Sequence, residues 1–437
     1  MAILLLFGHP IIASHGFGSK IEKEAPLTQE TVVVPGVEVF LQEYLSAFEG
    51  KKIGLLTHSA AVDHRLEPSA ELLRRNPRIR LVALYGPEHG VRGNFQAGEY
   101  VPFYVDEKLH LPVFSLYGQS MKPAVGMMKN IDEYMRSFDT DHRGKEPDSE
   151  MIRDVDLIVC DLQDVGTRVY TYVATMAYTM QACAENGIGF VVLDRPNPIG
   201  GLVMEGPILE YPRFSSPVGL YPVPLRHGMT MGELALLFNE KFLERKASLT
   251  VIPMKNWKRR QWFDQTSLPW VLPSPNMPTL DTATVYPGQV FFEGTNLSEG
   301  RGTTRPFEMI GAPWIDGFDL ARKMNRLNLP GVRFRETWFT PAFSKFQGER
   351  CGGLQLHVVD RSLFRPYSVV LHLLRVLMDE YPKRFAFHPS YFDRIMGTAR
   401  VREALENGAG ADRILALLED ELRRFAELRK PFLLYDE

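Results

Sequence analysis

The chain has 437 residues, 45% of them hydrophobic and 24% charged, with a net charge of −3. That is the make-up of a globular protein too long for one compact core, and two domains are expected. Charges of both signs are interspersed and basic runs such as Lys258-Arg259-Arg260 are short, so nothing points to nucleic acid; three cysteines without a CxxC give neither a disulfide framework nor a zinc site.

The first residues carry a short apolar run, Ile3-Leu4-Leu5-Leu6-Phe7, and a second at Ile11-Ile12-Ala13. Together they fall short of the ~20 residues that a membrane span takes. Small residues come after them as in an export signal, although no positive charge precedes them and His9-Pro10 interrupts the run. The expectation is a leader over residues 1–30, an exported (periplasmic or extracellular) protein rather than a cytoplasmic one, and no membrane span elsewhere.

Short apolar runs then alternate with helical stretches. Lys52–Thr57, Leu81–Leu84, Asp156–Cys160 and Phe190–Leu193 are nearly continuous in apolar residues, as strands buried on both faces are. Helices are expected over Pro68–Asn76, Tyr172–Asn186 and Met231–Phe242, the last with a capping box of Thr230 and Glu233. Cys160 and Cys183 lie within these apolar segments and are read as core fillers. The alternation predicts an α/β fold, a doubly wound and mostly parallel sheet over residues 31–255. Trp270–Pro313 is rich in Pro, Gly, Thr and Asn and reads as a long functional loop. A strand at Gly353–Val359 and helices at Ser368–Glu380 and Asp412–Leu428 complete a second, smaller α+β domain over residues 256–437.

The polar residues just past each strand form the informative pattern. His58 lies after the first strand, Glu88, His89 and Arg92 after the second, Asp161, Asp164, Arg168 and Tyr170 after the third, and Asp194 after the fourth. Ligands of open parallel sheets bind outside the carboxyl ends of the strands. Asp161 and Asp194 also suit capping of the next helices, and the segment around Arg168 and Tyr170 opens a helix where an anion would be favoured. No GxGxxG, GxxxxGK[ST] or GxSxG occurs. Two chemistries remain: glycoside hydrolysis by a carboxylic acid, or metal-assisted hydrolysis of another anionic substrate through His58, Asp161 and Asp194.

Six blocks in order carry a resemblance: LYGPEHGVRG (84–93), DLQDVGTRVYTYV (161–173), VLDRPNPIGG (192–201), PSPNMPT (273–279), YPG (286–288) and FEGTNLSEGRGTTRPFEMIGAPW (292–314). They resemble the bacterial exo-β-N-acetylmuramidases of NamZ type, a family formerly catalogued as a domain of unknown function. The resemblance implies a Rossmann-like catalytic domain, a smaller C-terminal domain and a site in the cleft between them. It implies removal of N-acetylmuramic acid from the non-reducing end of peptidoglycan fragments, with no cofactor and no metal, and it places the family's catalytic glutamate at Glu88.

Within that reading Glu88 is the general acid, and burial beside Tyr85 is expected to help it hold its proton. His89 orients Glu88 or handles the proton. The second group is open among Asp161, Asp164, Glu293, Glu299 and the substrate's own acetamido oxygen. A lactyl carboxylate calls for an arginine, and Arg92, Arg168, Arg301 and Arg305 are the candidates. Asn276 and Asn296 suit hydroxyl or acetamido groups. A non-catalytic peptidoglycan-binding protein is the remaining alternative. Oligomeric state has no signature in the sequence.

Overall fold

In the computed structural model, residues 32–99, 101–116 and 155–437 are described; the expected leader and export segment lie outside them. The described residues hold twelve strands, numbered in chain order. Those of the large sheet are β1 (Lys52–Thr57), β2 (Arg80–Gly86), β3 (Tyr104–Asp106), β4 (Leu111–Ser115), β5 (Leu157–Asp161), β6 (Gly189–Leu193) and β9 (Leu249–Ile252). Strands β7 (Glu205–Ile208) and β8 (Pro224–Arg226) form a separate ribbon, while β10 (Met309–Ala312), β11 (Val332–Phe339) and β12 (Cys351–Val358) form a second sheet.

The large sheet has the order β3-β4-β2-β1-β5-β6-β9 and is parallel except for the β3–β4 edge pair. Its strands alternate between two apolar layers. Ile53, Leu55, Leu81, Val113, Val159 and Val191 pack on one face with helix Ser69–Arg75. Leu56, Tyr85, Ile158, Cys160, Phe190 and Val192 pack on the other with helices Tyr172–Asn186 and Met231–Lys241. Burial on both faces is why these strands read as continuous apolar runs. The strand order reverses at β1: the chain adds β2 and β4 on one side, then returns to add β5, β6 and β9 on the other. A crevice opens at the carboxyl ends of strands beside such a switch point. The fold is therefore the expected α/β class.

Helix Met231–Lys241 carries the capping box foreseen, with Glu233 N–H donating to Thr230 Oγ1 (3.3 Å) and Thr230 N–H to Glu233 Oε2 (3.0 Å). The second sheet is antiparallel in the order β10-β12-β11, with helix Gly317–Arg326 against it and helix Pro366–Glu380 packed on that helix. The loop expected over Trp270–Pro313 is in fact partly regular, holding helix Leu280–Gln289, a 3-10 turn Val290–Gly294 and β10. The helix from Leu280 is buried continuously from Thr282 to Gln289 and packs on Pro366–Glu380. An all-round buried helix has no amphipathic period, and its Thr, Val and Pro content hides it further. Among the described residues no helix is long and apolar enough to cross a membrane.

One apolar cluster runs through both sheets, from Tyr85 and Met176 to Phe291, Tyr367 and Phe425. The C-terminal tail then returns to the first sheet. Tyr435 Oη donates to Asp194 Oδ2 (2.6 Å), Leu434 N–H to Glu233 Oε1 (2.8 Å), and Arg259 N–H to the Asp436 carbonyl (2.8 Å). Asp194 also accepts from Gly232 N–H (2.8 Å) and Thr230 Oγ1 (2.7 Å), so it anchors a helix start and a chain end. Burial raises its carboxyl from the ordinary 3.8 to about 6, against the opposing hydrogen bonds. A value raised in the folded state contributes stability that is full below 3.8 and is lost as pH rises through about 6. Urea unfolding of wild type and Asp194→Asn should show the wild type losing about 1–2 kcal/mol relative to the variant between about pH 5 and 8. A difference that does not change with pH contradicts this account of Asp194.

Candidate active site

Beyond the end of β2 the backbone turns sharply: Gly90 N–H donates to the Pro87 carbonyl (2.9 Å), and His89 and Gly90 have φ of 73° and 72°. Left-handed backbone is costly for a histidine and is held only where the surroundings fix it. Here the fixing contact is His89 Nδ1 donating to the Phe95 carbonyl at 2.8 Å. That tautomer leaves Nε2 as an acceptor. Burial pushes the imidazole below its ordinary value; Glu88 and the Phe95 contact oppose the shift, and Arg301 adds to it.

The turn sets Glu88 in a cleft of about 460 Å³, within the range of small-ligand sites. Its Oε1 accepts from Gly98 N–H (3.0 Å) and its Oε2 from Thr171 Oγ1 (2.8 Å), at the start of helix Tyr172–Asn186. The Tyr172 hydroxyl, 2.7 Å from the Pro273 carbonyl, also reaches the Glu88 carbonyl at 3.2 Å. Tyr85 is not the neighbour expected from the sequence. It stacks on Phe114 in the core, lying over Gly54, where a Cβ would come 2.6 Å from its ring. Tyr170 and Tyr286 line the cleft instead.

The other wall comes from the segment after Leu280–Gln289. Arg301 Nη2 donates to Glu293 Oε1 (2.6 Å), its Nε lies 3.4 Å from Glu299 Oε1, and its guanidinium lies over the Phe307 ring at 5.0 Å. Burial alone would lower its pKa, but Glu293 and Glu299 hold the guanidinium above its ordinary value. Tyr391 Oη donates to Glu293 Oε2 (3.0 Å), and Lys345 Nζ to Glu299 Oε2 (3.1 Å).

Of the candidates read from the sequence, Glu88, His89, Tyr170, Asn276, Glu293, Glu299 and Arg301 line this cleft. The others are engaged elsewhere. Asp161 is fully buried in an ion pair with Arg195, whose Nη2 lies 2.9 Å from Oδ2, and accepts from Ser69 Oγ. Asp164 closes its own turn through Gly166 N–H (2.7 Å) and lies 3.5 Å from His227 Nε2. His58 accepts from Gln163 N–H through Nε2 (2.9 Å) and is pushed down to about 3 by burial, then Arg195, against a Pro273 contact. Arg92 pairs with Asp106 (2.7 Å) and Arg305 with Glu308 (3.0 Å). Asn296 bridges the Arg384 carbonyl and Ala386 N–H at 2.7 and 2.9 Å.

Arg168 is the largest departure from the sequence reading. It is 2% exposed and donates to the carbonyls of Pro207, Val223, Ile395 and Met396 at 2.9–3.1 Å. It is a brace between the β7–β8 ribbon and helix Pro389–Met396, buried and outside the lining of the cleft, where a lactyl group does not reach it. The metal reading also fails to assemble, because His58, Asp161 and Asp194 each hold different partners. Among the described residues the grouping at ligand spacing is Glu38, Asp63 and His64, apart from the cleft.

Comparison with known proteins covers most of the chain. The family described as exo-β-N-acetylmuramidase NamZ matches with its N-terminal part over residues 53–139 and 135–281, and with its C-terminal part over 284–435. The peptidoglycan β-N-acetylmuramidase NamZ of Bacillus subtilis (strain 168) is 47% identical over 433 residues, covering 99% of this chain and 97% of that one. The chain belongs to the NamZ family. Crystal structures of two DUF1343 family proteins from Bacteroides fragilis share its fold. One has a TM-score of 0.82 at 34% identity, covering 92% of this chain and 99% of the other; the second has 0.67 at 30%, covering 93% and 100%.

Thr171, Ser274, Tyr286, Phe307, Lys345 and Tyr391 line the cleft without having stood out in the sequence. The first four lie inside the blocks that resemble NamZ, so block membership was the available signal. Lys345 and Tyr391 lie outside every block and carried none. The brace role of Arg168 predicts a stability defect. Arg168→Met removes a charged donor from each of four buried carbonyls and should cost at least ~3 kcal/mol in urea unfolding. Loss of activity in Arg168→Met with unchanged stability would return Arg168 to the substrate side.

Proposed function

We propose that the protein is an exo-acting β-N-acetylmuramidase in which Glu88 protonates the glycosidic oxygen and Arg301 receives the lactyl carboxylate. The observation that carries this is the shared cleft: a carboxyl held between Gly98 N–H and Thr171 Oγ1 on one wall, and on the other a guanidinium directed by Glu293 and Glu299. The substrates are muramyl saccharides derived from peptidoglycan, cut at the non-reducing end.

In the reaction Glu88 gives its proton to the leaving oxygen as the C1–O bond breaks, and recovers one from the attacking water. Thr171 fits both states, since a hydroxyl donates to a carboxylate and accepts from a carboxylic acid. His89, fixed through Nδ1, presents Nε2 as a neutral acceptor and steadies the turn that carries Glu88. Asn276 supplies an amide for a hydroxyl or acetamido group. Export of the protein is part of the proposal, because cell-wall fragments are met outside the cytoplasmic membrane; N-terminal sequencing of protein recovered outside the cytoplasm tests it.

Glu88→Gln should lower kcat by about 10²–10⁴ on natural fragments with little change in KM. A muramide with a good leaving group such as 4-nitrophenol needs less proton donation and should regain much of that loss. A uniform loss on both substrates, or full activity of Glu88→Gln, would remove Glu88 as the acid, whereas a wild type that binds muramyl saccharides without turning them over would favour a binding protein. Arg301→Ala should reduce kcat/KM on muramyl substrates by about 10²-fold, as for loss of a charge-assisted pair. The loss on glucosaminyl analogues should be much smaller, and equal losses would exclude the clamp.

A further inference from the structure

The wall that holds Arg301 has more negative charge than one arginine balances. Glu293 and Glu299 both contact it, so these three side chains alone would present a net charge of −1 to a substrate that is itself an anion. Like charges that close oppose binding. The missing cation comes from the β11–β12 connection, where Ser344 and Phe346 take φ of 71° and 58° around Lys345. Ala342 N–H fastens this connection to the Gly302 carbonyl at 2.8 Å.

Lys345 Nζ lies 2.7 Å from the Phe292 carbonyl, 2.9 Å from that of Leu297, 3.2 Å from that of Glu293 and 3.1 Å from Glu299 Oε2. An ammonium has three donors, so all are committed and Lys345 is not itself free for a ligand. Arg301 differs. Its Nη2 is on Glu293 and its Nε faces Glu299, whereas Nη1 has no hydrogen bond among the described residues.

We infer that Lys345 is a positioning residue for recognition of the substrate's carboxylate: by neutralising Glu299 it leaves the Nη1 edge of Arg301 to the anionic group. The inference rests on the muramidase reading and assigns selectivity at that site to a residue on the second sheet's hairpin. The wall is neutral with Lys345, negative without it, and positive if Glu299 alone loses its charge.

That ordering gives substitutions of opposite sign. With a muramyl substrate, Lys345→Met should raise KM roughly tenfold with a smaller change in kcat, as expected for loss of one nearby charge. Glu299→Gln should lower KM, and the double variant should fall back toward the wild type. N-acetylmuramic acid as an inhibitor should show the same order, and N-acetylglucosamine should not. A lysine that only braced the turn would make all three variants worse, and the double variant the worst. If Lys345→Met does not fold, as judged by its melting temperature, the sign of the Glu299→Gln effect decides. A higher KM in Glu299→Gln, or no recovery in the double variant, overturns the proposal. A wild-type protein with no activity on any muramyl substrate would instead overturn the muramidase reading.

Discussion

The carboxyl of Glu88 is held by donors from two different parts of the chain, and the placement of the site depends on that pair of hydrogen bonds. Gly98 N–H belongs to the loop after β2, and Thr171 Oγ1 to the N-cap of the helix after β5. They can meet one side chain only because β2 and β5 flank β1 in the same parallel sheet. The left-handed turn at His89 and Gly90 aims the side chain back over the sheet edge. Gly54 leaves room for the Tyr85 ring in the packed core of the same sheet.

The carboxyl ends of the strands deliver two populations of polar residues. One lines the cleft: Glu88, His89 and Tyr170. The other fastens the frame: Asp161 to Arg195, Asp194 to Tyr435 and Gly232, and Arg168 to four carbonyls. Both arise from one geometric fact. The edge of a parallel sheet where ligands bind is also where helices begin and where the second sheet's elements are tied down. Backbone groups left open there need charged partners as much as a substrate does.

That double use of one edge decided how much was legible in the sequence. The buried parallel strands, the helix from Tyr172 and the capping box at Thr230 obey local rules, and each is where the pattern put it. Glu88 stood out because a Pro-Glu-His-Gly turn at a strand end has no packing reason to carry charge. Arg168 and Arg301 were equivalent as residues, both arginines in polar, glycine-containing blocks. Only tertiary contacts separate them, four carbonyls for one and two carboxylates for the other. The helix from Leu280 was hidden because burial on every side erases the period that announces a helix. Lys345 sits in an irregular hairpin connection, where no periodicity or motif marks a residue in advance.

A wall meant for an anion would be simplest with arginine alone, yet this one carries two carboxylates. The reason is the cost of burying a cation. The Arg301 side chain is 19% exposed, and a guanidinium that far from water without counter-charge is destabilising. Glu293 and Glu299 meet that cost and fix the plane of the group, which is why its charge is held despite burial. They also create the problem of repelling the ligand, and a second cation that is not itself available to the ligand solves it. Lys345 is such a cation, saturated by a turn it helps to close. Charge for stability and charge for recognition are thereby carried by different residues of one network. Glu88 is supplied by the first sheet, while Lys345 comes from the second. Acid and anion recognition thus meet only when both halves of the chain are folded together.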